Sequence, residues 1–390
     1  MATSTQKRLA PPAVIGIIGG GQLGRMSALA ARAMGYRVVV LEPKVPCACT
    51  PVVEEQIEAA YDDPTGLEKL FSIADVVTFE FENIQKEPLD AFAGRKPIRP
   101  SPAILSIAQN REREKNYFSE SGFPVAPFRV IADDGDVEKI LAEDFPFPAI
   151  LKTADFGYDG KGQVSVQHPS DLREAWRSFE GARAVLEKRI AFQAEYSVIV
   201  ARNPAGECVS YPLCRNIHRD HILDVTFSPA ELSEGQSAQA KDLCENLAVS
   251  LGLEGILVIE LFLTREGEWI INEVAPRPHN SGHFSIDGSE TSQFENHIRA
   301  VCNQPLGSTA SLSPSAMQNL LGETLLEQGD DLAETVFSTE RAHLHLYDKG
   351  EAKPGRKMGH INLAAEEGQS LREKVGKLRK SLGLPPITED

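Results

Sequence analysis

EGILVIELFLTREGEWIINEVA, Glu254 to Ala275, reads as two apolar strands joined around a Glu-Gly turn. With the turn centred on Glu266 and Gly267, Glu260 and Glu273 fall directly opposite one another. Two carboxylates facing across an antiparallel pair repel and weaken the sheet unless a cation sits between them. Magnesium suits that place, because it takes one or two protein carboxylates together with phosphate oxygens and water. In this register Val258, Phe262 and Ile271 alternate along the same face, which points to a walled site and not to a strand washed by solvent.

Upstream, AILKTADFGYDGKGQVSV (149–166) ends an apolar strand with Lys152 and sets Lys161 among Gly157, Gly160 and Gly162 before the next strand. A strand-loop-strand of this kind folds over a polyphosphate, offering backbone N–H groups and lysine charge. It is not a P-loop, which needs GKS or GKT opening a helix. AVLEKRI (184–190) then ends a strand with Glu187 and Lys188, and AEYSVIV (194–200) carries Glu195. A strand-end acid with exposed backbone reads an adenine edge, and a second acid takes ribose hydroxyls.

At the other end of the chain, VIGIIGGGQLGRM (14–26) has Gly19, Gly21 and Gly24 at dinucleotide-fingerprint spacing, with Glu42 closing the next strand. The spacing alone is weak, because any tight strand-to-helix turn wants glycine. From 13 to about 100, strands alternate with helices, which implies a parallel sheet, and KPIRPSP (96–102) closes that unit. A charged helical stretch follows, AILSIAQNREREKNYFSESG. Residues 125 to 190 read as a small α+β lobe, and SEGQSAQAKDLCENLAVSLG (233–252) as a helix with Leu243, Leu247 and Leu251 at one-turn spacing and Gly252 as its C-cap. The last 70 or so residues hold strands RAHLHLY and MGHINL and a basic terminal helix.

Bulk properties exclude several classes. The 390 residues are 42% hydrophobic, enough to bury a large core divided among two to four domains. A formal charge of -16 repels polyanions, which argues against nucleic acid as a partner. No apolar run approaches the roughly 20 residues that cross a bilayer, so no membrane association and a cytoplasmic location are expected. The six cysteines show no CxxC spacing and are read as reduced thiols.

Taken in order, Lys115, Lys152, the glycine loop, LEK, AEYSVIV, Glu260 and NEVAPRPHNSGH resemble the ATP-grasp superfamily. Within it, GIIGGGQLGRM, TFEFENI, ADFGYDGKGQ, APRPHNSGH and KPGRKMGHINL resemble the 5-(carboxyamino)imidazole ribonucleotide synthases of purine biosynthesis, over roughly residues 13 to 363. The resemblance implies an α/β and α+β molecule: an N-terminal Rossmann-like parallel-sheet domain (1–108) that takes the substrate, an ATP-grasp small lobe (109–195), a large lobe (196–310), and a small β-rich C-terminal domain (311–390) that supplies a substrate phosphate loop.

The same resemblance implies ATP and Mg2+ as cofactors, with ATP, bicarbonate and aminoimidazole ribonucleotide as substrates. Lys115, Lys152 and Lys161 would contact ATP phosphates, Glu187 and Lys188 the adenine, Glu195 the ribose, and Glu260 and Glu273 the metal. The usual asparagine two residues after the second metal acid is here Ala275; Asn272 and Asn280 are both open as substitutes, and Asn280 is also a candidate substrate contact. Gly20, Gln22 and Leu23 would meet the ribonucleotide, Glu80 its ribose, and Lys353 and Arg356 its 5′-phosphate. Arg277 and His279 would hold bicarbonate and carboxyphosphate, while Tyr158 and Asp159 orient the amine, Asp159 as a possible proton acceptor. A homodimer is expected, as is a mutase that consumes the product, either as a partner or as a fused domain. The alternatives are a sibling ligase using formate, glycine or biotin, an NAD-dependent oxidoreductase resting on Gly19-Gly21-Gly24 and Glu42, and a silent binding module on the same fold.

Overall fold

The structure, a computed structural model, describes residues 7–155, 162–366 and 370–388. Strands β1 (Val14–Ile18), β2 (Arg37–Leu41), β3 (Glu55–Ile57) and β4 (Val76–Phe79) form a parallel sheet in the order β3-β2-β1-β4. β1, β2 and β4 are mostly apolar because both faces of the sheet are covered. Ile15, Ile17, Val38 and Val40 pack with Ala28 and Ala31 of the helix Gln22–Ala33. Val14, Ile18, Val39 and Leu41 pack on the other face with Leu67, Leu70 and Phe71 of the helix Pro64–Ile73.

A second sheet, all antiparallel, contains β5 (Phe128–Ile131), β6 (Ala149–Thr153), β7 (Gln163–Val166) and β8 (Ala184–Lys188) in the order β5-β8-β6-β7. The third joins β9 (Phe192–Arg202), β10 (Cys208–Ser210), β11 (Cys214–Arg219), β12 (Ile222–Ser228), β13 (Gly255–Thr264), β14 (Trp269–Ala275), β15 (Ser315–Leu321), β16 (Ala342–Leu346) and β17 (Lys357–Ala364). It runs β14-β13-β9-β11-β12-β15-β17-β16, with β10 hydrogen-bonded to β9. The C-terminal strands therefore continue the sheet that carries the acidic hairpin.

The helix Glu234–Ser250 buries Ala240, Cys244, Leu247 and Ala248 against Val198, Val200, Leu257 and Ile259, and ends at Gly252 with φ +63°. That left-handed geometry is the glycine C-cap the pattern predicts. The basic terminal helix, Leu371–Ser381, turns one cation inward: Arg379 is 1% exposed and donates to Asp224 Oδ1 at 2.8 Å and Gln318 Oε1 at 2.6 Å. All six cysteines are free thiols, and no helix among the described residues is long and apolar enough to cross a membrane.

The hairpin register departs from the expected one in a single respect. Glu260 pairs with Glu273 as the turn predicts, but a bulge follows, and Leu261 faces Ile271 while Phe262 faces Ile270. The extra residue is Asn272. Ile271 thus leaves the acids' side and enters the core beside Leu261, both fully buried. The cause is local pairing outside the hairpin: Ile271 N donates to Pro124 O at 2.8 Å, and Lys115 Nζ donates to Asn272 O at 2.8 Å.

Candidate active site

A cleft opens between the second sheet and the hairpin. Ala126, Ile150, Ile190, Phe192, Phe262 and Ile270 line it, and the rings of Phe192 and Phe262 stack with centroids 4.6 Å apart and planes 4° off parallel. Flat apolar walls suit a planar heterocycle. Lys188, which is exposed, and Arg189 form the rim at the end of β8.

The polar end of the cleft is built around one buried acid. The helix Arg111–Glu120 starts at Asn110, whose side chain caps the Arg113 N–H at 2.9 Å, so Arg111 and Lys115, one turn apart, share the face toward the cleft. Glu187 Oε2 lies 3.3 Å from both Lys115 Nζ and Lys152 Nζ, and Glu187 Oε1 lies 3.6 Å from Arg111 Nη1. Burial pushes the Glu187 carboxyl up, but Lys115, Lys152 and Arg111 outweigh it and hold it at about 2. Burial lowers the Lys152 ammonium to about 8 despite Glu187. Glu187 Oε1 and Arg111 Nη1 are both buried without a hydrogen-bond partner, so this cluster retains capacity to bind a further group.

Glu260 and Glu273 stand beside it. Arg111 Nη2 reaches Glu273 Oε2 at 3.1 Å, and His279 Nε2 lies 3.4 Å from Glu260 Oε1. Burial and the Glu273 charge drive the Glu260 carboxyl well up; burial also opposes ionisation of Glu273, but Arg111 and Lys152 keep it down. A pair with one acid pushed toward protonation carries more negative charge than its surroundings neutralise, and hard carboxylate oxygens suit a divalent ion. Among the described residues no cluster of three or more His, Cys, Asp or Glu side chains could hold a metal by itself. Two carboxylates therefore fit an ion that draws its remaining ligands from a phosphate chain and water. Asn272 sits on the bulge lining the cleft, and Asn280 is buried with an unpartnered Nδ2.

Glu195 Oε2 meets His218 Nδ1 at 2.6 Å at the outer rim of the same site. Burial lowers the imidazole pKa, but Glu195 more than reverses this, so the folded-state value is raised. A raised value stabilises the fold below about pH 6.5, and that contribution drains away as pH rises through the folded-state pKa. His218→Gln is therefore expected to melt below the parent protein near pH 6 and to converge with it in alkaline buffer, as followed by thermal melts across pH.

A second polar cluster lies where β1 meets the helix Gln22–Ala33. Its backbone donors are already engaged: Gly20 N donates to Glu42 Oε2 at 2.9 Å, Gly24 N to Glu80 Oε2 at 2.6 Å, and Gly21 N to Glu80 Oε1. Glu42 also accepts from Tyr61 Oη at 2.7 Å. Two carboxylates at a helix N-terminus occupy the place an anion would take, so this end fits hydroxyl groups better than a phosphate. The cations lie further along. Lys349 Nζ contacts Gln22 Oε1 at 3.0 Å; burial first, then Arg356, lowers its pKa to about 8. Arg356 and the exposed Lys353 occupy the loop ahead of β17. Arg277 ties the two regions together through an ion pair with Glu82 at 2.7 Å.

Comparison with known proteins bears directly on this arrangement. Residues 13–109 match the ribonucleotide synthetase preATP-grasp domain, 116–294 the ATP-grasp domain, and 315–374 the phosphoribosylaminoimidazole carboxylase C-terminal domain. The N5-carboxyaminoimidazole ribonucleotide synthase of Bacillus subtilis strain 168 is 42% identical over 370 residues, covering 94% of this chain and 96% of that one. The chain belongs to the N5-carboxyaminoimidazole ribonucleotide synthase family. A crystal structure of the Staphylococcus aureus synthetase complexed with ADP superposes with a TM-score of 0.89 at 37% identity, covering 97% of this chain and all of the other. The Aspergillus clavatus synthase, crystallised with ADP and 5-aminoimidazole ribonucleotide, superposes with a TM-score of 0.86 at 28% identity, covering 95% and 98%.

The structure brings Lys115, Lys152, Glu187, Glu260, Glu273 and His279 into one neighbourhood, and Gly20, Gln22 and Glu80 into another. Tyr158, Asp159 and Lys161 lie outside the described residues. Arg111, His218 and Lys349 were not singled out from sequence. Arg111 opens NREREK, which reads as a solvated charged helix, and neither His218 nor Lys349 sits in a spacing that signals a ligand. Glycine also matters under the Lys353–Arg356 loop: a Cβ at Gly322 would overlap the Lys353 backbone carbonyl, and Gly322 N donates to Arg356 O at 2.9 Å. Gly322→Ala is expected to displace this loop and raise KM for the ribonucleotide roughly tenfold or more, with KM for ATP unchanged, in steady-state assays.

Proposed function

We propose that this chain carboxylates the exocyclic amine of 5-aminoimidazole ribonucleotide, consuming ATP and bicarbonate, as the family name and the site chemistry together suggest. The observation that carries the reading is the facing pair Glu260 and Glu273 beside a cation-lined cleft with apolar walls. A divalent ion held by these two acids would offset triphosphate charge during phosphoryl transfer. The adenine lies between the apolar walls, its ribose toward Glu195, and Lys115, Lys152 and Arg111 face the phosphates.

A bicarbonate oxygen attacks the γ-phosphorus as the bond to the ADP oxygen breaks, giving carboxyphosphate. The ribonucleotide amine then attacks its carbonyl carbon, phosphate leaves, and the nitrogen loses a proton. Arg277 and His279 hold the carbonate-derived anion, and Glu80, Gln22 and Leu23 orient the ribonucleotide while Lys349, Lys353 and Arg356 take its phosphate. Burial, followed by the charge of Arg277, keeps His279 well below the ordinary histidine range, so the ring works as a neutral donor. Tyr158 and Asp159 are assigned to the amine and Lys161 to ATP, by resemblance alone. Exclusion of water matters because carboxyphosphate hydrolyses unproductively.

A labile carbamate product calls for a mutase, whether separate or fused; a homodimer and cytoplasmic residence complete the reading. The test is ADP release with aminoimidazole ribonucleotide present, with bicarbonate added or withheld. Bicarbonate-dependent release with carbamate formation supports the assignment. Turnover with formate or glycine in place of bicarbonate would move it to a sibling ligase.

A further inference from the structure

His279 stands at the end of a chain of buried polar side chains. Thr226 Oγ1 donates to Asn216 Oδ1 at 3.0 Å, Asn216 Nδ2 to Ser197 Oγ at 3.0 Å, and Ser197 Oγ to Ser281 Oγ at 2.9 Å. Ser281 Oγ lies 2.9 Å from His279 Nδ1, and the Ser281 backbone N–H points at the same nitrogen at 3.3 Å. Thr226, Ser197 and Ser281 are fully buried and Asn216 is 5% exposed, so no solvent competes for these atoms.

The direction of the chain is decided by chemistry. The Asn216 amide nitrogen can only donate, so Ser197 accepts there and keeps its own proton for Ser281, 2.9 Å away. Ser281, now accepting from Ser197, has its proton left for His279. A backbone N–H also only donates, so two donors converge on Nδ1. That nitrogen must therefore be the bare one, and the ring proton sits on Nε2, the nitrogen 3.4 Å from Glu260 Oε1.

We infer that Ser281, backed by Ser197, Asn216 and Thr226, is a positioning residue that locks His279 in its Nε2–H tautomer and aims that N–H at the carbonate-derived anion. The inference rests on the proposed role of His279 as a donor to that anion. Thr226, Asn216 and Ser197 sit on β12, β11 and β9 of the large sheet, and they anchor Ser281 and His279, which lie on and beside the single 3-10 turn Asn280–Gly282. A donor anchored in this way needs little rearrangement when charge develops on the oxygen it faces.

The experiment compares Ser281→Ala and Asn216→Asp with the full-length parent. The second change inverts polarity at one atom: a carboxylate in place of the amide accepts from Ser197 and draws the Ser281 proton away from His279. Both variants are expected to raise KM for bicarbonate about tenfold, near the net worth of one hydrogen bond, with KM for ATP within twofold of the parent. In 15N spectra of histidine-labelled protein, the signal absent from His279→Ala is expected to report Nε2–H in the parent and mixed tautomers in the variants. Should Asn216→Asp fail to fold, Ser197→Ala takes its place. Unchanged bicarbonate KM, or bicarbonate and ATP constants rising in step, overturns the relay. His279→Ala separates the two levels: if it leaves bicarbonate KM unaltered, the role of His279 itself fails; if it raises that constant while Ser281→Ala does not, only the relay fails.

Discussion

Glu273→Ala and Glu260→Ala are each expected to lower turnover by about 10³-fold and to shift the magnesium requirement upward by at least about tenfold. The two carboxylates face each other on adjacent strands, with Arg111 on one and His279 on the other. Removing either leaves a single acid to anchor an ion that takes its other ligands from the nucleotide. A glutamine at either position keeps shape and loses charge, so it should fall between parent and alanine variant. Magnesium titrations of initial rate decide the matter. Variants with parental rates and parental metal dependence would remove the basis for placing the ion here.

Glu187→Ala carries the second large effect, and it falls on stability as well as on catalysis. One buried carboxylate faces Lys115, Lys152 and Arg111, and Lys115 is fully buried and also donates to the Asn272 carbonyl. Removing the acid strips the buried Lys115 and Lys152 of their carboxylate while Arg111 keeps its ion pair with Glu273, a class of change costing roughly 3–5 kcal/mol. The acid's depressed pKa, about 2, makes its contribution fully present above roughly pH 4.3 and lost only as pH falls through that depressed value. The deficit should therefore be largest in mildly acid buffer and shrink as pH rises and Lys152, lowered to about 8 in the parent, gives up its proton, as read by denaturant titrations. A deficit below about 1 kcal/mol would show that the cluster relaxes into solvent.

How far the sequence reaches can be judged element by element. The hairpin was legible because its register depends on a four-residue turn, and the facing acids follow by counting. The bulge at Asn272 was not legible, because it answers to Pro124 and Lys115, more than a hundred residues away. The strands β1, β2 and β4 announce themselves as continuous apolar runs, whereas β3 is three residues long and β10 to β12 mix polar and apolar residues within one buried sheet. At the site, the glycine cluster at 19–24 is plain, but the engagement of its N–H groups by Glu42 and Glu80 depends on the tertiary approach of two strand ends. Nothing in HNSGH marks Ser281. Its meaning comes from Ser197, 84 positions earlier.

Because β12 pairs with β15 from Val225 to Ser228, the chain beyond residue 310 is not a detachable module. A protein cut there would bare the Val225–Ser228 ladder and the apolar side chains Val225 and Phe227, which rest on Leu320, Ile361 and Leu378. An open strand flank of that kind invites pairing with a second molecule. Shortening this polypeptide at its C-terminal end is thus a route to self-association before it is a route to a minimal nucleotide-binding fragment.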